Sequence, residues 1–430
     1  MSVLQSSLGT NDMREMKDSG IEWVGRIPDN WKVEKGKYCL RYLQKPTRQD
    51  DDVITCFRDG EVTLRKNRRE EGFTISMKEI GYQGIDVGDL IVHGMDGFAG
   101  AIGISDSRGK ASPVLNVLDT NNNKRFIMYY LRNMAYGGVF EALATGIRVR
   151  TCDTNWGKLR ELPYILPPRA EQDTIVSYID RKCVEIDELS ADIQSEIDTL
   201  EAYKRSVVFE TVTHGISTSQ FKETDSDVWK TIPMEWKLVD IKYLFEIVKR
   251  IAGKEGYDIL AITQQGIKIK DISTNEGQIA ADYSGYQFVY PGDYAMNHMD
   301  LLTGWVDLSN KFGVTSPDYR VFKLRDAKHN DRKYYKYIMQ CCYMCRIFYS
   351  LGQGVSNLGR WRLQTSVFND FKVPVPPYEE QVRIGQYLDA KLSETDNIIS
   401  LKKKQISVLA DYKKSIIYEY VTGKKEVPAI

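Results

Sequence analysis

Hydrophobic residues recur every three and four positions along two long stretches of the chain. The first stretch starts after Leu166-Pro167-Pro168 and the second after Val375-Pro376-Pro377. Proline disfavours helix in the residue before it, and acidic residues that follow favour a helix N-terminus. The spacing therefore predicts two long helices, each with the narrow apolar seam that is typical of a coiled coil. The predicted seam positions are Ile179, Cys183, Ile186, Ser190, Ile193, Ile197, Leu200, Lys204 and Val207, and then Leu388, Leu392, Thr395, Ile399, Lys402, Ile406, Leu409, Lys413 and Ile416.

The two helical stretches are copies of each other. They align without a gap at an offset of about 209 residues, and the matches fall both on and off the seam. The matched pairs include Gln172 and Gln381, Ile175 and Ile384, Tyr178 and Tyr387, Asp187 and Asp396, and Tyr203 and Tyr412. Neither helix can bury its seam alone, so we expect the two copies to pack against each other. At about 1.5 Å per residue, about 45 residues form a rod of roughly 65–70 Å.

The repeat extends beyond the helices. Ile27-Pro28-Asp29-Asn30-Trp31-Lys32 recurs as Ile232-Pro233-Met234-Glu235-Trp236-Lys237. The segment from Gly88 to Gly100 recurs as the segment from Gly292 to Gly304, at an offset of about 204 residues. A repeat of this kind has to be recognised before the fold is assigned. The whole chain is therefore interpreted as a tandem duplication.

The parts between the helices have the pattern of a mixed fold. Short β-rich runs such as 85–92 and 101–104 alternate with glycine and aspartate turns, and helical patterns follow at 126–131 and 334–339. The predicted fold class is α+β, with two globular parts alternating with two long helices that pair as an antiparallel coiled coil, in a pseudo-two-fold repeat. The predicted segments are a first globular domain (1–168), a central long helix (169–216), a second globular domain (217–377), and a C-terminal long helix with a tail (378–430).

Composition narrows the class of protein. A chain of 430 residues exceeds what one hydrophobic core usually supports, and it holds no apolar run of the roughly 18 residues that a membrane span needs. The N-terminus lacks the pattern of a signal peptide, and the seven sparse cysteines favour a reducing cytoplasm. The basic and acidic residues are equal in number, at 59 each, but the first long helix is acidic. Any nucleic-acid surface is therefore expected as a local patch on the globular parts.

Two motifs superficially resemble those of adenine methyltransferases. The stretch from Asp96 to Gly103 is similar to the glycine-rich cofactor loop, but Ile102 replaces its second glycine. The stretch from Val375 to Tyr378 is similar to the catalytic motif, whose first residue has to accept a hydrogen bond from the exocyclic amine, and valine cannot. A lone Cys-x-x-Cys at Cys342 and Cys345 has no second pair, which favours a place in the core over a metal site. No hydrolase or ATPase motif is present in the sequence.

Clusters of basic residues in polar, glycine-rich settings remain as candidate binding residues. Arginine suits bidentate contact with guanine in the major groove, and either cation suits phosphate. For any single residue the alternative is an ordinary solvated charge, but the clusters together favour contact with DNA. The predicted DNA-binding residues are Arg65, Lys66, Arg68, Arg69, Arg148, Arg150, Lys268, Lys270, Arg360 and Arg362.

Two globular parts with a shared frame and unmatched intervening stretches alternate with helices that begin at Leu/Val-Pro-Pro-x-x-Glu-Gln. This arrangement resembles the DNA-specificity subunit of a type I restriction–modification system. The motif at residues 20–31, Gly88-Asp89 and Ser112-Pro113 fit the resemblance, which covers essentially the whole chain. The reading surfaces differ among members of this family, so no base-contacting residue is carried over from it.

The resemblance implies a binding protein of bacterial or archaeal cytoplasm and not an enzyme. Each globular part would be a target-recognition domain that reads one half of a bipartite site on double-stranded DNA, and the antiparallel helices would set the spacer. Two modification (methyltransferase) subunits would dock on the chain, and motor-nuclease restriction subunits would complete the complex. No cofactor is expected on this chain, because S-adenosylmethionine, ATP and Mg would be bound by the partner subunits.

Two other interpretations stay open at this point. The first is an adenine-specific DNA methyltransferase, which the substituted motifs disfavour. The second is a coiled-coil scaffold or orphan subunit that binds protein alone.

Overall fold

The computed structural model describes residues 14–68, 79–142, 154–216, 220–271, 282–354 and 361–428. The chain forms two compact units. Unit 1 consists of Met1–Asp192 and Gln405–Ile430, and unit 2 consists of Ile193–Lys404. Each unit therefore combines one globular part with a segment of each long helix.

The secondary structure repeats in the two units. The strands of unit 1 are β1 (Met16–Asp18), β2 (Arg26–Pro28), β3 (Lys32–Lys35), β4 (Arg41–Leu43), β5 (Ile54–Cys56), β6 (Val62–Leu64), β7 (Gln83–Ile85), β8 (Leu90–His93), β9 (Ile102–Ile104), β10 (Gly109–Ala111), β11 (Leu115–Asp119) and β12 (Pro163–Leu166). Its short helices are α1 (Gly36–Cys39), α2 (Lys124–Tyr136), α3 (Val139–Ala142) and α4 (Trp156–Leu159). The two long helices are α5 (Arg169–His214) and α10 (Tyr378–Val421).

Unit 2 follows the same order of elements. Its strands are β13 (Phe221–Glu223), β14 (Thr231–Pro233), β15 (Lys237–Asp240), β16 (Phe245–Val248), β17 (Leu260–Thr263), β18 (Gly266–Ile269), β19 (Gln287–Val289), β20 (Tyr294–Met296), β21 (Val306–Leu308), β22 (Gly313–Thr315), β23 (Arg320–Leu324) and β24 (Lys372–Val375). Its short helices are α6 (Ile241–Leu244), α7 (Arg332–Met344), α8 (Ile347–Ser350) and α9 (Thr365–Asp370).

A four-stranded antiparallel sheet lies at the centre of each unit. Its strand order is β4-β11-β8-β9 in unit 1 and β16-β23-β20-β21 in unit 2. A hairpin (β5–β6 or β17–β18) accompanies each sheet, and so does a pair of strands (β3–β12 or β15–β24) next to a long helix. The α+β class and the internal repeat that the sequence predicted are thus confirmed.

One helix packs against each central sheet and supplies much of the core. In unit 1 this helix is α2, which buries Phe126, Tyr130 and Leu131, and in unit 2 it is α7, which buries Tyr334 and Ile338. A polar side chain starts each of these helices by accepting backbone N–H bonds of the first turn, as N-cap residues do. These N-cap residues are Asn123 and Asp331.

The two repeated motifs of the sequence contact each other in each unit. The Trp31 indole Nε1 donates to Glu171 at 3.0 Å, and the Trp236 indole Nε1 donates to Glu380 at 2.8 Å. Both tryptophans are fully buried. The tryptophan of each Ile-Pro motif therefore holds the first turn of the long helix to its globular part.

The glutamine of each Pro-Pro-x-x-Glu-Gln motif completes this junction. Gln172 accepts from the backbone N–H of Asn123 at 2.8 Å and donates to the Pro167 carbonyl at 2.9 Å. Gln381 makes the equivalent bonds with Asp331 at 2.9 Å and with the carbonyl of Pro376 at 2.9 Å. Since both glutamines are buried, each one satisfies polar backbone groups that would otherwise be costly to bury.

The long helices pair in both units. In unit 1 the beginning of α5 shares a core with the end of α10, and Lys413 forms a salt bridge with Asp187 at 2.7 Å. In unit 2 the end of α5 shares a core with the beginning of α10, and Lys204 forms the equivalent salt bridge with Asp396 at 2.5 Å. The predicted antiparallel pairing is therefore confirmed. All three predicted seam lysines have partners across the pair, because Lys402 forms a salt bridge with Glu196. None of the helices in the described ranges has the apolar length that a membrane crossing needs.

Candidate nucleic-acid interface

The first predicted basic cluster lies on the turn that directly follows β6. Lys66 forms a salt bridge with Asp52 at 2.5 Å, and Arg68 forms one with Asp59 at 2.7 Å. Arg65 donates to a threonine hydroxyl on β5 at 3.2 Å. Exposed ion pairs of this kind contribute only about 0–1 kcal/mol each. Exchanging these carboxylates for phosphate would therefore cost little.

In unit 2 the equivalent place is β18 and the residue after it. Lys268 is exposed on β18, and its Nζ donates to Gln265 at 2.5 Å. The backbone N–H of Lys270 donates to the Ile259 carbonyl at 2.7 Å, and Lys270 lines a cleft of about 470 Å³. The unmatched sequences of the two halves thus form the same kind of hairpin, and each carries predicted basic residues.

Of the remaining five predicted residues, only Arg362 lies within the described ranges. Arg362 is exposed and exchanges two backbone hydrogen bonds with Gln353, at 3.0 and 3.1 Å. Four of the predicted residues lie outside the described residues, namely Arg69, Arg148, Arg150 and Arg360.

A loop after β8 or β20 meets the hairpin turn in each unit. In unit 1, Arg58 of the hairpin turn forms a salt bridge with Asp96 of the loop at 2.8 Å. In unit 2, Gln264 of the hairpin turn donates to the carbonyl of Thr303 in the loop at 3.4 Å. We call the combined surface of the hairpin, the residues that directly follow it and the loop the hairpin–loop face. The structure brings one such face together in each unit.

In each unit the same loop also forms a backbone hydrogen bond with the chain that follows the later predicted arginines. The Thr154 backbone N–H donates to Gly94 at 2.8 Å, and the Leu363 backbone N–H donates to His298 at 3.0 Å. These two contacts occupy the same place in the repeat. In the sequence, Thr154 follows Arg150 by four residues and Leu363 follows Arg362 directly.

Other titratable residues of the units have partners within the fold or are buried. Asp86 accepts hydrogen bonds from Lys45 at 2.7 Å and from Arg108 at 2.6 Å, which lower the pKa of its carboxyl to about 2. Arg250 forms a salt bridge with Asp293 at 2.8 Å. Burial lowers the pKa of the His298 imidazole to about 3, so this ring is neutral at pH 7. These groups are distinct from the exposed predicted cations such as Lys66 and Lys268.

The residues that resemble methyltransferase motifs have structural partners. Asp96 is held by Arg58, and the turn after it is a short 3-10 helix. Val375 ends β24, which pairs with β15, and the Pro376 carbonyl accepts from Gln381. These residues build the loop of unit 1 and the helix junction of unit 2.

The Cys-x-x-Cys pair lies at the end of α7. Cys342 is buried and Cys345 is exposed, and the Sγ of Cys345 lies 3.9 Å from the Sγ of Cys341. In the described ranges no group of three or more His, Cys, Asp or Glu side chains is placed to hold a metal ion.

Two buried polar residues next to the loops were missed by the sequence analysis. Asn116 on β11 and Arg320 on β23 each hydrogen-bond the chain where it reaches the loop. The repeat could have indicated them, because the two positions are separated by the same offset of 204 residues as the repeated glycine segments. The sequence comparison does not show this equivalence, because asparagine and arginine are different residue types.

Residues 233–409 match the family described as the type I restriction modification DNA specificity domain. Two proteins from Methanocaldococcus jannaschii are similar over nearly the whole chain. The putative type I restriction enzyme MjaX specificity subunit is 22% identical, covering 94% of this chain and 96% of that protein. The type I restriction enzyme MjaVIII specificity subunit is also 22% identical, covering 94% of each.

A chain from a solved structure shares the fold. That structure is described as the structural basis underlying complex assembly and conformational transition of the type I R-M system. The match has a TM-score of 0.67 at 14% identity, and it covers 93% of this chain and 99% of the other. Residues 233–409 therefore match the type I restriction modification DNA specificity domain, and the chain is similar to type I restriction enzyme specificity subunits over nearly its whole length.

Proposed function

We propose that this chain is the subunit of a type I restriction–modification complex that reads a bipartite DNA site, and that it performs no catalysis itself. The first target-recognition domain would lie in residues 1–168 and the second in residues 217–377. Each domain would read one half-site, and α5 with α10 would set the spacer. The observation that carries the proposal is the presence of one hairpin–loop face, with predicted basic residues, in each unit.

The surroundings of the predicted basic residues support contact with DNA. In the described ranges, Lys268 and Arg362 have no carboxylate within salt-bridge distance, and Lys66 and Arg68 have only surface ion pairs. Cations in such settings are available to neutralise phosphates, which supplies most of the affinity of non-specific DNA binding. The sequences of the hairpins differ between the units, as two readers of different half-sites require.

We further propose two modification subunits as partners, one for each unit. In unit 2 a surface patch on the paired helices contains Tyr203, Tyr387 and Lys391, with the Lys391 Nζ 6.0 Å from the ring centroid of Tyr203. Tyr203 is 43% exposed and Tyr387 is 40% exposed. Partly exposed tyrosines are enriched in protein interfaces because they bury a large apolar area and keep a polar tip.

The repeat partners of these three residues lie in unit 1. Tyr412, Tyr178 and Lys182 are the repeat partners of Tyr203, Tyr387 and Lys391, and the residue types are identical. Tyr412 is 54% exposed. We call each set of three a tyrosine–lysine patch. Two sets of identical residue types suit two copies of one partner.

Replacing the tyrosine of one patch is expected to weaken the binding of the modification subunit at that patch only. Tyr203→Ala should lower the affinity for the modification subunit at one of two sites by about 30-fold, the effect of losing an interface hot spot of about 2 kcal/mol. Tyr203→Ala combined with Tyr412→Ala should weaken both sites. Mass photometry of the assembled complex counts the bound partners. Tyr203→Phe is the control, and two partners bound at unchanged affinity by the double alanine variant would contradict the patch assignment.

The test of the proposed function is a binding assay with the purified chain and its modification subunit. The complex should protect a bipartite site, and methyl transfer should require the partner, which would bring S-adenosylmethionine. ATP and Mg would be needed only once the motor-nuclease subunits join. Methylation by this chain alone would establish the methyltransferase alternative. Absence of specific DNA binding with the partner would favour the scaffold or orphan alternative.

Substituting a predicted contact should affect one half-site only. Arg148→Ala or Arg150→Ala is expected to weaken binding through the first half-site, because both arginines belong to unit 1. A lost contact between a side chain and a base costs about 1–3 kcal/mol, or roughly 5- to 150-fold in affinity. Titration against duplexes altered in one half-site measures this effect. Lys268→Ala in unit 2 is the matched control, and equal loss at both half-sites would point to a folding defect.

A further inference from the structure

Asn116 on β11 and Arg320 on β23 occupy the same place in the two central sheets. Asn116 is 6% exposed and Arg320 is 4% exposed. Both side chains bond the chain at the point where it returns to the loop of the hairpin–loop face. Neither belongs to the exposed basic clusters.

In unit 1 the Asn116 amide bridges the loop and the returning chain. Its Nδ2 donates to the carbonyls of Val92 and Thr154, both at 3.1 Å. Its Oδ1 accepts from the backbone N–H of Trp156 at 3.0 Å. The Thr154 hydroxyl adds a bond to the His93 carbonyl at 2.8 Å. The returning chain is therefore fixed to the sheet at two residues.

In unit 2 Arg320 contacts the corresponding positions of the chain with a guanidinium group in place of an amide. Its guanidinium donates to the Leu363 carbonyl at 3.0 Å and to the Thr365 hydroxyl at 3.3 Å. Leu363 and Thr365 are the repeat partners of Thr154 and Trp156. The two units thus hold the same two positions of the returning chain, one with a neutral amide and one with a cation.

The charge of Arg320 is not needed for a structural bridge, because an amide bridges the same positions in unit 1. In the described ranges Arg320 has no carboxylate within salt-bridge distance, and its guanidinium lies 4.4 Å from the ring centroid of Phe368. Burial lowers the pKa of this guanidinium to about 10, so it is still protonated at neutral pH. A buried cation without an anion is costly. A phosphate close to the exposed Arg362 would offset part of that cost.

We propose that Asn116 and Arg320 are positioning residues for DNA recognition, each acting on its own half-site. The inference rests on the proposed function. Each residue fixes the position at which the returning chain, at Thr154 or Leu363, joins the hairpin–loop face. Loss of the bridge should therefore reduce the ability of that unit to distinguish its half-site from an altered one.

The test compares Asn116→Ala and Arg320→Met in the complex with the modification subunit. Dissociation constants are measured for the cognate duplex and for duplexes altered in the first or the second half-site. Arg320→Met should lower discrimination at the second half-site by about tenfold and leave the first unchanged, and Asn116→Ala should do the reverse. Arg320→Lys, which keeps the charge, should recover part of the discrimination. Each variant serves as the control for the other.

If Asn116 and Arg320 only stabilised the fold, their substitution would change the fraction of active complex and not its discrimination between DNA sites. Partial unfolding lowers the fraction of complex that binds DNA, which stoichiometric titration measures, but it leaves the discrimination ratio of the folded fraction unchanged. Unchanged ratios at both half-sites, or equal changes at both, would overturn the positioning role. Lack of discrimination by the unsubstituted complex would overturn the proposed function itself.

Discussion

Inserting seven residues into α5 alone, between Asp192 and Ile193, is expected to destabilise the protein and to weaken specific DNA binding by at least about 100-fold. The salt bridge between Lys413 and Asp187 fixes α10 against the beginning of α5, and that between Lys204 and Asp396 fixes it against the end. Seven residues lengthen α5 by about 10 Å and keep its seam in phase. Since α10 keeps its length, both sets of contacts cannot form together.

A matched insertion of seven residues into both helices is the informative control. The second insertion, between Lys404 and Gln405, would let both salt bridges and both shared cores form again. Stability should therefore recover, while the preferred spacer of the DNA site should lengthen by about three base pairs, since 10 Å is about three steps of 3.4 Å. Thermal unfolding and binding to duplexes of graded spacer length measure the two effects. An unchanged spacer in the stable double insertion would rule out a role of the helices in setting it.

Replacing Trp236 by alanine is expected to destabilise unit 2 by about 3–5 kcal/mol, the usual cost of removing a buried tryptophan. Trp236 is fully buried, and its ring meets Tyr334 edge to face at a centroid distance of 6.4 Å. Its indole also donates to Glu380 in the first turn of α10. A loss of this size is a large share of the total stability of a typical domain, which is about 5–15 kcal/mol. Urea denaturation measures the change.

Trp236→Phe separates packing from hydrogen bonding at this junction. Phenylalanine keeps most of the apolar contact and removes the donor to Glu380, so we expect a loss of about 1–3 kcal/mol from the unpaired carboxylate and the smaller ring. Trp31→Phe in unit 1 is the equivalent variant. A loss under about 1 kcal/mol for Trp236→Ala would mean that the motif does not stabilise the junction of globular part and helix.

The duplicated plan was legible in the sequence because it rests on local periodicity and on repeated residues. The heptad pattern places the helix ends near Thr213 and Thr422, and the helices end at His214 and Val421. Each long helix needs a partner of similar length, so a second copy in the same chain was enough to predict the pairing. The seam also includes the polar residue Lys204, whose partner Asp396 lies almost two hundred residues away in the sequence.

The candidate site was predictable only in part. Basic clusters such as Lys66 and Arg68 can be recognised in the sequence. The structure places them directly after the β5–β6 hairpin, and the equivalent hairpin of unit 2 carries Lys268. The equivalence of the hairpins could not be seen in the sequence, because surface residues of paired strands are free to differ while the strand order is kept. Contact of these residues with DNA stays a prediction for the binding experiments.

By itself, the sequence determined the tandem repeat, the two long helices and the mixed class of the globular parts, since periodicity and repetition are properties of the chain. Only the tertiary structure decided what the repeated motifs are for. Trp31 meets Glu171, and Asn116 and Arg320 bridge the same two positions in their units. These contacts join residues that are distant in the sequence and chemically unlike each other, so folding alone brings them together.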